Sequence, residues 1–140
     1  MSLKDKIIKV ATIPAISGGC AAVATSLIMG VSFNDKSPLP IIGVRLPSPV
    51  VEGISCGVAS MGAEVFSDFM LPHITGDDKL ARTERLVLKP IATGTALAGL
   101  AWVNSSSPSI EVLGKHFLVG SGSEIAANYV YRTAKQMLSQ

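Results

Sequence analysis

Two short acidic stretches interrupt sequence that is otherwise small and apolar. GAEVFSDF, residues 62–69, carries Glu64 and Asp68, and GSEIAANY, residues 122–129, carries Glu124 and Asn128. Carboxyl groups in such surroundings have two uses. They can take up and pass a proton or cation, or they can bond helices together, protonated or paired with Arg85, Lys89 or a backbone donor. Their spacing bears on the choice. On a helix, Gly53, Gly57, Ser60, Glu64 and Asp68 recur every three or four residues and share one face, as do Gly120, Glu124 and Asn128. Gly18, Ala22, Ser26 and Gly30 form a ladder of small residues, and Thr95 and Gly99 are similarly spaced. Small residues let helix backbones approach closely, so these stripes are expected to be packing faces. The acids then point at neighbouring helices, because an ionised carboxylate turned toward hydrocarbon costs about 3 kcal/mol or more.

Elements able to position such groups follow from composition. The chain has 140 residues, of which 16% are charged, and its mean hydropathy is +0.45. A typical soluble domain is about 25% charged. Too little charge is present to cover a water-facing surface, so a membrane protein is expected. Residues 10–34 and 90–110 hold no charge, and each run is long enough for a crossing of about 20 residues. Residues 49–71 and about 112–131 are also hydrophobic but carry the acids. Four helices are therefore expected. Lys4, Lys6 and Lys9, an apolar run and Ala22-Val23-Ala24 imitate a cleavable leader, but the segment is read as a retained helix. Ser48-Pro49 and Ser107-Pro108 read as helix N-caps followed by proline at the first helical position. Pro14 and Pro90 fall near the expected starts of the first and third helices. Residues 71–79 mix proline, glycine and charge and read as a loop.

The two halves of the chain match. Lys6, Lys9, Pro14, Ser17 and Gly18 correspond to Arg82, Arg85, Pro90, Thr93 and Gly94 at one offset. SPVVE, residues 48–52, corresponds to SPSIE, residues 107–111, and the Glu64 stretch corresponds to the Glu124 stretch after a one-residue slip. The expected architecture is all-α: one membrane domain, a four-helix transmembrane bundle built from two related helical hairpins, about residues 6–72 and 82–135. The first half carries the longer connection, residues 32–46. With that layout, Lys4, Lys6, Lys9, Lys79, Arg82, Arg85, Lys89, Arg132 and Lys135 lie on one side of the membrane, and Lys36, Arg45 and Lys115 on the other. The positive-inside rule then puts both termini on the cytoplasmic-type side.

Other chemistry finds little support. There is no nucleophile elbow, phosphate loop, HExxH or CxxC, and no enzymatic role or cofactor is expected. His73 and His116 each stand alone and read as interfacial, and Cys20 and Cys56 read as buried thiols, so no metal site is expected. No basic cluster with interleaved aromatics suggests nucleic acid. Between the two uses of the acids, helix bonding is preferred. No Lys or Arg alternates with them, and no selectivity filter or Arg-rich helix is present. The alternative is a small ion or proton channel or transporter subunit using Glu64, Asp68 and Glu124. A third reading is an accessory subunit of an enzyme complex.

Gly62, Glu64, Val65, Phe66, Asp68, Phe69, Leu71, Pro72, His73 and Ile74, set among four short Gly/Ala-rich helices in a small chain, make one further point. In this combination the chain resembles the multi-pass inner-membrane and minor capsid proteins of large icosahedral DNA viruses. The resemblance implies a structural virion component in the internal lipid membrane, with capsid or other membrane proteins as partners and possible oligomers. It transfers no catalytic residue.

Overall fold

The structure is a computed structural model that describes residues 2–39, 42–70, 78–104 and 109–139, with the backbone alone described for 78–86 and 104. Helix α1 spans Leu3–Ile28. The Ser2 hydroxyl caps it, accepting from the Asp5 amide at 3.2 Å. The same hydroxyl donates to the Asp5 carboxylate at 2.8 Å and holds that carboxyl below its ordinary range. The helix ends where Gly30 enters the left-handed region at φ 66°, the usual device for stopping a helix. Because α1 begins at Leu3, Pro14 lies well inside it and not near its start; Pro90 is likewise internal to its helix.

The long connection after α1 is not wholly irregular. Strands β1 (Lys36–Pro38) and β2 (Arg45–Pro47) pair antiparallel, with Ser37 opposite Leu46. Gly43, at φ 80°, serves the turn between them, and its amide donates to the Leu39 carbonyl at 2.8 Å. The sequence reading had no strand here. Helix α2, Ser48–Val65, follows directly and continues into a π-helical turn, Phe66–Met70. Ser48 is not the cap: Pro47 holds that position, and the Ser48 hydroxyl instead bonds the Ser37 hydroxyl at 2.5 Å. The wider π turn keeps both Ser67 and Asp68 buried at the end of α2.

Helix α3 spans Asp78–Asn104 and α4 spans Ile110–Leu138. The cap of α4 is Ser109, which accepts from the Val112 amide at 3.2 Å. The expected cap pair Ser107-Pro108 lies outside the described residues, as do Pro72, His73 and Ile74.

The helices form a ring in which α1 packs on α2 and α4, and α3 packs on α2 and α4. Successive helices run antiparallel: Pro14 lies against Gly57, Ala63 shares a groove with Ala92, and Pro90 meets Ser121. Both ends of the described chain therefore lie at one end of the bundle, with the β-hairpin at the other. The all-α expectation holds apart from that hairpin. Among the described helices α1 alone is both long and apolar enough to cross a membrane; the apolar part of α3 is the shorter stretch Val87–Val103.

The glycine contacts set how closely the hairpins pack. Gly18 and Gly53 touch backbone to backbone, so a Cβ at Gly53 would stand 2.7 Å from the Gly18 carbonyl oxygen. Across α3 and α4, a Cβ at Gly120 would stand 2.9 Å from the Gly94 Cα. Ala22 joins the first contact, its Cβ lying 3.1 Å from where one on Gly53 would be. The expected stripe on the third helix is displaced. Thr95 and Gly99 are exposed, and Thr93, Gly94 and Leu97 face inward.

Candidate functional site

The interior of the ring divides into layers along its axis. Nearest the termini is a charged cluster. Glu64 and Asp68 come from α2 and its π turn, Glu124 and Asn128 from α4, Lys9 from α1 and Lys89 from α3. Glu64 and Glu124 are fully buried, and Lys89 is only 4% exposed. The Lys89 Nζ donates to Glu64 Oε2 at 2.7 Å. Lys9 Nζ reaches the same oxygen at 3.8 Å and Asp68 Oδ1 at 3.4 Å. Lys6 Nζ donates to the Asp68 carbonyl oxygen at 3.5 Å and lies over the Phe69 ring.

Glu124 is held differently. Ser60 Oγ donates to its Oε2 at 2.5 Å and Asn128 Nδ2 to its Oε1 at 3.1 Å. Both donors are neutral, and the Glu64 carboxyl is an immediate neighbour. Glu64 Oε1 accepts no hydrogen bond. Two adjacent buried carboxyls, one with an oxygen lacking a donor, form an arrangement that a single proton between them would satisfy, since like charges side by side cannot both remain ionised cheaply.

One turn above Ser60 the interior becomes apolar. Ala21, Cys56, Leu97 and Val119 form a buried cluster, one residue from each helix. On α1, one turn from Ala21, the Ser17 hydroxyl lies 3.4 Å from Cys56 Sγ. Thr93 and Ser123 sit on the charged side of this layer, and neither hydroxyl has a hydrogen-bond partner.

Above the apolar layer lies a second polar centre, near the β-hairpin. His116 Nδ1 and Glu52 Oε1 are 2.5 Å apart, with side chains 15% and 11% exposed. They border a cavity of about 280 Å³ also lined by Thr25, Ser48, Ser55 and Leu97. Thr25 is 3% exposed, and its Oγ1 has no partner.

Of the residues singled out from sequence, Ser60, Glu64, Asp68, Glu124 and Asn128 thus gather in one cluster. Gly18, Ala22, Gly53 and Gly57 form the α1–α2 contact, and Gly120 the α3–α4 contact. Lys89, one of the candidate partners of the acids, is the one that meets Glu64. The sequence reading missed two groups. Lys9, read only as a marker of sidedness, turns inward. His116, read as standing alone, is paired with Glu52, which was read only as part of the SPVVE match. The available signal was that Glu52 and His116 both interrupt apolar helical stretches, where an unpaired polar group is costly. No cluster of metal-ligating side chains occurs among the described residues. No protein-family model, curated protein or solved structure matches the chain.

Proposed function

We propose that the chain is a non-enzymatic, multi-pass membrane protein with a structural role. Its four helices assemble in the bilayer and offer short loops to other proteins. One observation carries this reading: the polarity of the bundle is inverted. Glu64, Glu124, Lys89, Asp68, Ser60 and Thr93 are buried, while Val58 is 66% exposed, Leu27 79% and Ile125 58%. A water-soluble bundle gains its stability by the opposite arrangement. Lipid favours apolar side chains outside and satisfied polar groups between helices. The length and apolarity of α1 agree.

On this reading the Lys9–Asp68, Lys89–Glu64 and Ser60–Glu124 bonds lock the four helices together. The resemblance carried by Gly62, Glu64, Phe66, Asp68 and Phe69 would place the bilayer inside a virus particle, with capsid proteins as partners.

A second reading, passage of ions or protons through Glu64, Asp68 and Glu124, is favoured by one specific feature. Glu64 Oε1 is buried without a donor in a cluster that already holds two ammonium groups.

The test is membrane retention together with assembly. The chain should stay in the bilayer through alkaline carbonate extraction. Glu64→Gln, which keeps shape and hydrogen bonding, should assemble nearly as well as the native chain, whereas Glu64→Leu should not. Release by carbonate would remove the membrane reading. Equal assembly of both variants would remove the locking role of Glu64.

A further inference from the structure

We propose that the interior of the bundle is a gated proton path: two proton-binding stations, the Glu52–His116 pair and the Glu64–Glu124 cluster, are separated by an apolar gate made of Ala21, Cys56, Leu97 and Val119. The proposal rests on the membrane reading and deepens its second form, naming the ion, the entrance on the β-hairpin side and the barrier.

The upper station is built to exchange a proton. His116 Nδ1 is committed to Glu52 Oε1 at 2.5 Å, which leaves Nε2 as the nitrogen that gains or loses a proton. Glu52 balances the charge of the protonated ring. The adjoining cavity of about 280 Å³ has room for water, and the buried Thr25 hydroxyl gives such water a partner. Little else there competes for the proton. From α1 the pair faces Thr25 and Met29, and from α3 Leu97, Leu100 and Ala101, none of which titrates. Lys36 and Arg45 on the β-hairpin are exposed, and Lys115 is paired with Glu111 at 3.5 Å.

The lower station receives the proton. Glu64, Asp68 and Glu124 face Lys9 and Lys89 there, while the side chains of Arg82 and Arg85 lie outside the described residues. A proton arriving on either Glu64 or Glu124 supplies the donor that Glu64 Oε1 lacks. Its release toward the termini restores the starting state, so one proton enters for each that leaves. Thr93 and Ser123 stand between the gate and this station with hydroxyls free to relay it.

The barrier lies within about two helical turns. On α2, Glu52, Cys56, Ser60 and Glu64 follow at four-residue intervals, so roughly 12 Å separates Glu52 from Ser60. Cys56, Leu97 and Val119, with Ala21 one turn nearer the hairpin on α1, form the buried cluster in that distance, and the Ser17 hydroxyl stands beside Cys56. An apolar constriction of this kind stops protons by excluding water. Leu97 is its largest member; it is 1% exposed and also lines the upper cavity. Shortening it or making it polar joins the cavity to Thr93.

The experiment uses the full chain in liposomes loaded with a pH-sensitive dye, with a potassium–valinomycin potential driving protons inward. The native protein should be slow. Leu97→Ser should raise proton flux at least tenfold, with Leu97→Ala as the gentler variant if serine impairs folding as judged by circular dichroism and gel filtration. Adding Glu52→Gln or Glu64→Gln to the open variant should return flux to the native level. The gate is refuted if correctly folded Leu97 variants remain proton-tight. The two-station path is refuted if their flux ignores both glutamine substitutions, since that is an unspecific leak. A chain released by carbonate fails the membrane reading itself; a chain retained but proton-tight fails only this proposal.

Discussion

Removing Lys89 tests the interior most directly. Its ammonium lies 2.7 Å from Glu64 Oε2, with the two side chains 4% and 0% exposed. Lys89→Met keeps the length of the side chain and deletes the charge. Breaking one side of a buried pair costs about 3–5 kcal/mol, because the surviving charge is left uncompensated. Lys9 stands 3.8 Å from the same oxygen and takes over part of the load, so the lower end, about 3 kcal/mol, is expected. That is roughly a hundredfold in the folding equilibrium. The double variant Lys89→Met with Glu64→Leu removes both charges and should recover at least half of the loss, since apolar groups of similar volume replace buried pairs at little cost. Equilibrium unfolding in mixed detergent micelles, followed by circular dichroism, measures all three. A single-variant cost below about 1 kcal/mol would show that Glu64 does not depend on Lys89. A double variant costing the sum of the two singles would show that the groups are not coupled.

Three further outcomes follow from particular contacts. Gly57→Leu should lower the yield of folded protein far more than Ile54→Leu, because a Cβ at Gly57 already meets the Pro14 carbonyl oxygen at 3.3 Å while Ile54 is 41% exposed; equal yields would argue against the α1–α2 contact. Ser60→Ala should destabilise by about 1–3 kcal/mol, the loss of a buried donor to Glu124, read by the same unfolding assay; no change would remove that bond from the lock. In a variant carrying Cys20→Ser and Cys56→Ala, single cysteines placed at positions 2 and 139 should react with an impermeant thiol reagent from one side of the membrane, and one at position 42 from the other. Opposite accessibility of positions 2 and 139 would exclude an even number of crossings.

Much of the architecture was legible because period and composition act locally. The apolar runs gave four helices, and the small residues spaced by three and four along them marked Gly18, Gly53, Gly57 and Gly120 as close contacts. What was illegible depends on partners distant in sequence. Ser48 has the type and neighbours of a cap, yet its hydroxyl goes to Ser37, and only the pairing of β1 with β2 makes that bond available. Thr95 and Gly99 lost to Thr93, Gly94 and Leu97 because the direction of a stripe is set by where the neighbouring helices stand. Lys89 reads, beside Arg85, as a candidate partner of the acids, but nothing local says that Glu64, 25 residues earlier, is the one it meets.

The match between the halves also fails in an instructive way. Gly57 stands against Pro14, and Ser121 donates to the Pro90 carbonyl at 2.8 Å. Gly53 meets Gly18 as Phe117 meets Gly94. Gly57 and Ser121, like Gly53 and Phe117, are 64 positions apart, whereas Glu64 and Glu124, the residues that look like copies, are 60 apart. The difference is four residues, about one turn, which preserves the helix face but shifts the depth. In packing register the counterpart of Glu64 is therefore Asn128, and that of Glu124 is Ser60. Had the sequence match been the packing register, each hairpin would have placed its glutamate at the same depth, facing its own small-residue stripe. The one-turn shift instead brings Ser60 and Glu124 together as donor and acceptor, with Glu64 beside them and Asn128 closing the other side. Two separate buried acids become a single cluster, and a cluster can share a proton and a pair of lysines where isolated acids could not. The slip between the halves is thus what allows so much charge to be held inside so small a bundle.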